Sequence, residues 1–235
     1  MKRVISLVTA RGGSKGIKNK NLLPIGGLTL ASKACNDAIN ATCVNDVYIC
    51  TDSQEILNNC AAVGALSIGL RPKAFAIDSS TDNEVLVSFC RRYWDLYGSL
   101  PEIIIHLRPT SPQRNSALID EVYSAFYDIF DDCTSMRTYH CVSGEALKLA
   151  KIDSQGFLDP LSSPETGTEI WGRPRQHLQF LAKGNGLVDI LKVENILSCT
   201  SHYGLKVKGY ETPPSIDIDT INDYNIVLQN PSIFH

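Results

Sequence analysis

Short apolar, β-branched runs alternate with longer amphipathic ones through the first 130 residues of the chain. Residues 4–9 (VISLVT) read as a buried strand, and 44–51 and 102–109 as two more. Residues 66–70 (LSIGL) read as a third, shorter strand between them. The intervening stretches have helical spacing: 29–41, 53–64 with Gly64 as its stop, 82–98 stopped by Gly98, and 117–130. Strand and helix in alternation predict a mainly parallel sheet with helices on both faces, a three-layer α/β domain with Rossmann-like nucleotide-binding topology. In such sheets ligands bind beyond the carboxyl ends of the strands. That directs attention to 10–21, 51–55, 71–82 and 108–114.

From about residue 133 the alternation stops. Residues 134–161 read as strands and turns, and 162–176 (SSPETGTEIWGRPRQ) as a polar loop or arm. Residues 186–197 return to a strand followed by a helix, and 204–211 to a strand. The last segment (PPSIDIDTINDYNIVLQN) reads as a strand edge and a helix capped near Thr220. No internal repeat or low-complexity tract is present.

Composition narrows the function. A net charge of -3 over 235 residues gives no global basic field for nucleic acid or anionic membrane, so any anion site must be local. No apolar run approaches the ~20 residues of a membrane span. The eight cysteines (35, 43, 50, 60, 90, 133, 141 and 199) form no CxxC pair, which argues against zinc. Scattered cysteines and a start unlike a signal peptide lead to the expectation of a cytoplasmic protein with reduced thiols.

Local cationic charge is concentrated directly after the first strand. Residues 11–21 (RGGSKGIKNKN) hold three glycines and four cations, Arg11, Lys15, Lys18 and Lys20. Gly12, Gly13 and Gly16 are expected to adopt φ > 0 and to let backbone N–H groups approach an anion. Arg11 and Lys15 add full charges, and a polyphosphate fits. The spacing matches neither the Walker A loop nor the G-x-G-x-x-G fingerprint.

This loop resembles the N-terminal signature of the sugar-acid cytidylyltransferases, in particular the acylneuraminate family. Those enzymes transfer CMP from CTP to the anomeric hydroxyl of a 2-keto-3-deoxy sugar acid and release pyrophosphate. The resemblance implies that Arg11, Gly12, Gly13, Ser14, Lys15, Lys20 and Asn21 wrap the CTP phosphates. YICTDSQEI (48–56), RPKAFAIDSSTD (71–82), LRPTSPQRN (107–115) and KGNGLVDIL (183–191) resemble further family segments, in the same order. They imply that Arg71 reads a pyrimidine carbonyl and that Ser80 or Asp82 meets the nucleotide sugar. Arg108 stands where the family usually has Gln, and Asp189 where it has Tyr. Both positions, with Lys148, Arg175, Lys183 and Asn185, are expected around the sugar acid. The resemblance also implies one nucleotidyltransferase domain over 1–235, with an extension at about 133–182 that packs against a second subunit. Trp171 and Phe180 are its apolar anchors.

Asp217 and Asp219, in SIDIDT, stand two apart. On a strand both would share one face, and like charges so placed call for a cation. Oxygen ligands beside phosphate suit Mg²⁺, and the family uses this pair for its catalytic metal. The expected reaction is in-line attack of the anomeric hydroxyl on the α-phosphorus, with Arg11, Lys15, Asp217 and Asp219 as the catalytic set. The acceptor is left open among neuraminate-type acids. The alternatives are an octulosonate or 8-amino-octulosonate acceptor and a nucleotide-binding module without chemistry.

Overall fold

The computed structural model describes residues 2–14, 16–161, 170–198 and 201–230. Its elements begin with β1 (Val4–Thr9), the two-residue strands β2 (Pro24–Ile25) and β3 (Leu28–Thr29), α1 (Leu30–Ile39), β4 (Asp46–Cys50) and α2 (Gln54–Ala62). There follow α3 (Asp82–Tyr97), β5 (Ile103–Leu107), α4 (Ser116–Asp128), β6 (Ser135–Val142), β7 (Ala150–Ile152) and β8 (Leu158–Pro160). The chain continues with β9 (Leu181–Lys192), α5 (Val193–Ser198), β10 (Val207–Glu211) and α6 (Ile221–Gln229).

Side-chain caps set where five of these helices start. Thr29, Ser53, Thr81, Asn115 and Thr220 each accept a hydrogen bond from the N–H three residues on. Thr81 and Glu84 complete a reciprocal capping box, and Gly98 ends α3 at φ 65°.

The main sheet has six strands in the order β10-β6-β9-β5-β1-β4. β1 lies parallel to β4 and β5, and β10 parallel to β6. Only β9 runs against its neighbours, β5 and β6. Alternate residues of the central strands feed two apolar layers. Val8, Ile49, Ile103 and Ile105 join Ala34, Cys35, Ile119 and Phe126 on the α1, α2 and α4 face. Ile5, Leu7, Tyr48 and Ile104 join Leu86, Phe89 and Tyr93 on the α3 face. The three-layer, mainly parallel α/β architecture is as the alternation predicts.

Two expected strands do not form. In 66–70 only Leu66 bridges, to Tyr48, before the chain turns at Gly69 with φ 90°. Residues 212–219 belong to no ladder. The Ile218 N–H donates to the Thr110 carbonyl at 2.8 Å and the Ile216 N–H to the Gln113 side chain. Ile218 is fully buried with Ile25, Leu30, Tyr224 and Val227, and that apolar clamp fixes the segment in place of strand pairing.

Candidate active site

Loops at the carboxyl ends of β1, β4, β5 and β10 meet the N-terminal end of β9 along one edge of the sheet. Two cavities open there. The first, of about 490 Å³, is lined by Arg11, Ser14, Gly16, Lys20 and Asn21 from the loop after β1. Arg71, Phe75, Asp78, Ser80 and Asp82 come from the 71–82 segment, and Arg108 and Asp219 complete it. The second, of about 520 Å³, is lined by Arg108, Arg137, His140, Lys183, Asn185, Asp217, Asp219 and Asp223, among others. Arg108 and Asp219 line both.

The loop after β1 is held by side chains of its own fold. Asn21 is buried and donates from Nδ2 to the Arg11 carbonyl at 2.9 Å. The Gly12 N–H donates to Asp52 Oδ1 at 2.8 Å. Gly12 and Gly13 do not take φ > 0, contrary to expectation. At Gly12 and Gly16 the missing Cβ serves close approach within the protein. A Cβ on Gly12 would stand 3.0 Å from Ser53 Cβ, and one on Gly16 would collide with the Asp219 carbonyl oxygen. Lys15 lies outside the described residues.

Cations and carboxylates are interleaved across the first cavity. Arg11 pairs with Asp78 at 2.7 Å. Lys20 donates to Asp219 at 3.0 Å and to the Ile218 carbonyl at 2.8 Å. Arg71 is buried, and one Nη donates to the Cys50 carbonyl while its Nε has no partner among the described residues. Its backbone N–H also donates to the Thr51 carbonyl, so Arg71 is anchored to the end of β4.

The densest charge cluster lies between the cavities. Arg108 donates from Nη1 to Asp189 at 2.6 Å and from Nη2 to Asp82 at 2.5 Å. Asp189, on β9, is completely buried. It also accepts from the Tyr203 hydroxyl at 2.9 Å and lies 3.3 Å from Arg137 Nε. Burial works against the Arg108 charge, but Asp189 and Asp82 outweigh it and hold its pKa above the ordinary arginine value. Burial also raises the Asp82 pKa, but His106 and Arg108 outweigh that and bring it down to about 2. His106, on β5 with its Nε2 2.9 Å from the Thr9 hydroxyl, is pushed down to about 3 by burial and by Arg108, and is neutral at physiological pH.

Three of the expected sugar-acid positions do not line these two cavities. Asp189 reaches neither cavity. It is fully buried beneath Arg108 and Arg137 and orients both. Lys148 and Arg175 also line neither cavity. Lys148 donates to the Arg173 carbonyl at 2.7 Å, and Arg175 lies 3.6 Å from Glu145, so both tie residues 145–148 to residues 173–175. Lys183 and Asn185 do line the second cavity, Lys183 exposed and Asn185 buried with its Nδ2 on the Thr212 hydroxyl at 2.6 Å.

Asp217 and Asp219 are exposed to either side of buried Ile218, so their separation by one residue does put both at the surface. Asp219 reaches both cavities and Asp217 the second. Two carboxylates are hard oxygen donors of the kind a hard cation takes beside phosphate and water; no group of three or more His, Cys, Asp or Glu that could hold a metal ion occurs among the described residues.

A family model described as "Cytidylyltransferase" matches residues 5–136, more than half of the chain. The chain belongs to the cytidylyltransferase family. Over 228 residues it is 26% identical to the CMP-N,N'-diacetyllegionaminic acid synthase of Legionella pneumophila, covering 94% of this chain and 93% of that one. It is 25% identical to an N-acylneuraminate cytidylyltransferase of Streptococcus agalactiae, covering 95% of this chain and 52% of the other. A corresponding Escherichia coli protein is 29% identical, with 51% of it covered. The chain thus spans about half the length of several curated relatives. Among solved structures, CMP:2-keto-3-deoxy-manno-octonic acid synthetase complexed with CTP superposes with a TM-score of 0.71 at 15% identity over 98% of each chain, a likeness of fold.

Within this cytidylyltransferase chain, sequence reading missed Asp78, Arg137 and Tyr203. Arg137 and Tyr203 give no local signal, because each stands alone in a strand or turn. The simultaneous appearance of Arg at 108 and Asp at 189 was a legible signal of a compensating pair: two departures of opposite charge.

Proposed function

We propose that the chain transfers CMP from CTP to the anomeric hydroxyl of a nonulosonic sugar acid and releases pyrophosphate. The observation that carries this reading is the pair of cavities meeting at Arg108 and Asp219. One cavity is fed by the glycine-rich cationic loop and the other by a mixed set of cations and carboxylates. The names of the relatives, above all the Legionella synthase of nearly equal length, agree with it.

In this reading the triphosphate lies in the first cavity against Arg11, Ser14, Lys20 and the loop that holds Lys15. Arg71 and Ser80 meet the nucleoside, and the sugar acid fills the second cavity by Lys183 and Asn185. The acceptor oxygen attacks the α-phosphorus in line, the bond to the oxygen bridging the α- and β-phosphates breaks so that pyrophosphate leaves, and the hydroxyl proton passes to solvent. Positioning across the shared wall and neutralisation of pyrophosphate by Arg11 and Lys15 do most of the work. Asp217 and Asp219 would hold Mg²⁺, which when bound supplies charge for the phosphate oxygens and acidifies the attacking hydroxyl. Lys20, paired with Asp219, would keep that carboxylate turned to the nucleotide side.

A homodimer belongs to the same reading. Trp171, Phe180, Ile152 and Phe157 are all exposed, and Lys148 and Arg175 would act near a partner's site. Free thiols at all seven described cysteines suit the cytoplasm, and no described helix is long and apolar enough to cross a membrane.

The test is pyrophosphate release with CTP, Mg²⁺ and a panel of nonulosonic and octulosonic acids, with mass spectrometry of the CMP-sugar formed. Turnover with a nonulosonic acid is expected. Preference for an octulosonate would replace the acceptor, and nucleotide binding without pyrophosphate release would replace the enzyme by a binding module.

A further inference from the structure

We propose that Arg137 is the residue that receives the acceptor's carboxylate in the second cavity, an assignment that rests on the sugar-acid reading above. Arg137 lies on β6 and lines that cavity, with its side chain 38% exposed. The register of β6 against β9 slips beside it. Arg137 faces Asp189, whereas Tyr139 faces Gly184, so a bulge of β9 lies between them. Bulges beside sites commonly re-aim a side chain.

The guanidinium is fixed on three sides. Its Nε lies 3.3 Å from buried Asp189. Its Cζ stands 4.9 Å from the centre of the Tyr203 ring. Its remaining flank crosses Gly184, where a Cβ would come within 2.8 Å of Cζ. A side chain at 184 and this placement of Arg137 exclude each other.

The other cations of the cavity are differently engaged. Arg108 has one Nη on Asp82 and the other on Asp189. Lys183 is exposed at the outer end of β9. Arg137 Nε stands 3.3 Å from Asp189 Oδ1 as an ion pair without a hydrogen bond, and no side-chain hydrogen bond from Arg137 to protein occurs among the described residues. The remaining edge, formed by the two Nη groups, matches a carboxylate in bidentate fashion. Asp217, Asp219 and Asp223 line the same cavity, which favours a monoanion over a phosphate dianion.

The experiment measures kinetics and calorimetric binding with CTP present, for wild type, Arg137→Gln and Gly184→Ala. The probes are the panel's acids, the methyl ester of the best acid, and a sugar phosphate. Arg137→Gln is expected to raise KM and Kd for the acid about tenfold or more, the loss of one charge-assisted contact. KM for CTP should stay within about twofold, and binding of the uncharged ester should not change. Gly184→Ala keeps the charge but displaces it. It should reproduce the loss on the acid, and it decides the matter should Arg137→Gln melt too low to assay. Equal binding of the acid by variants and wild type, or an equal loss on acid and ester, overturns this assignment alone. A wild type that binds none of the acids, or accepts only the sugar phosphate, overturns both the sugar-acid reading and the assignment.

Discussion

Asp189 has no exposed surface and three partners, Arg108, Arg137 and Tyr203. Removing one member of a buried charge pair strands the others, at a cost of about 3–5 kcal/mol. Asp189→Asn is therefore expected to destabilise the fold by roughly 3 kcal/mol, read from urea unfolding. Adding Arg108→Gln should cost less than the sum of the two single changes, because the second substitution removes a cation the first left with Asp82 alone. Strict additivity would show that the pair is not coupled. The individual residues of the first loop were legible, since glycines and cations rarely crowd together after a strand. Partners were not. That Arg108 is bracketed by residues 26 and 81 positions away is a property of the folded sheet.

Among the elements, helices were the most legible, because periodicity and a capping side chain at the start are local. Residues 66–70 and 212–219 have strand-like composition, yet a ladder needs a continuous neighbouring edge, and each bonds to its surroundings at scattered residues instead. The 212–219 segment is placed by burial of Ile218 and by contact with the loop after β1. Gly16 is the tightest point of that contact. Gly16→Ala should push the Asp219 carbonyl away and lower turnover about tenfold or more, with a much smaller change in acceptor KM, as for a group that acts mainly in the transition state. Its melting temperature should remain close to wild type, since Gly16 and Asp219 are themselves exposed. Unchanged kinetics would show that the loop and the acid segment move independently.

At the scale of the whole molecule, strand-helix alternation was enough to give the three-layer sheet, but not the reversal of β9, which brings Lys183 and Asn185 to the carboxyl edge of its neighbours. A buried neutral histidine in the central strand makes the fold acid-sensitive. His106 has a folded pKa of about 3 against 6.5 unfolded, so the unfolded chain binds the extra proton first. Its contribution is complete above pH 6.5 and is lost as the pH falls toward 3, at up to about 1.36 kcal/mol per pH unit. Melting curves across that range should fall more steeply for wild type than for His106→Gln, and parallel curves would place the acid sensitivity elsewhere. The wall shared by the two cavities has a thermodynamic consequence of its own. Arg108 and Asp219 cannot shift to suit one occupant without reshaping the compartment of the other. Whatever factor a nucleotide imposes on the acceptor's affinity, the acceptor must return to the nucleotide. In the proposed reading the molecule is a coincidence detector, in which each ligand's hold on the chain carries information about the presence of the other.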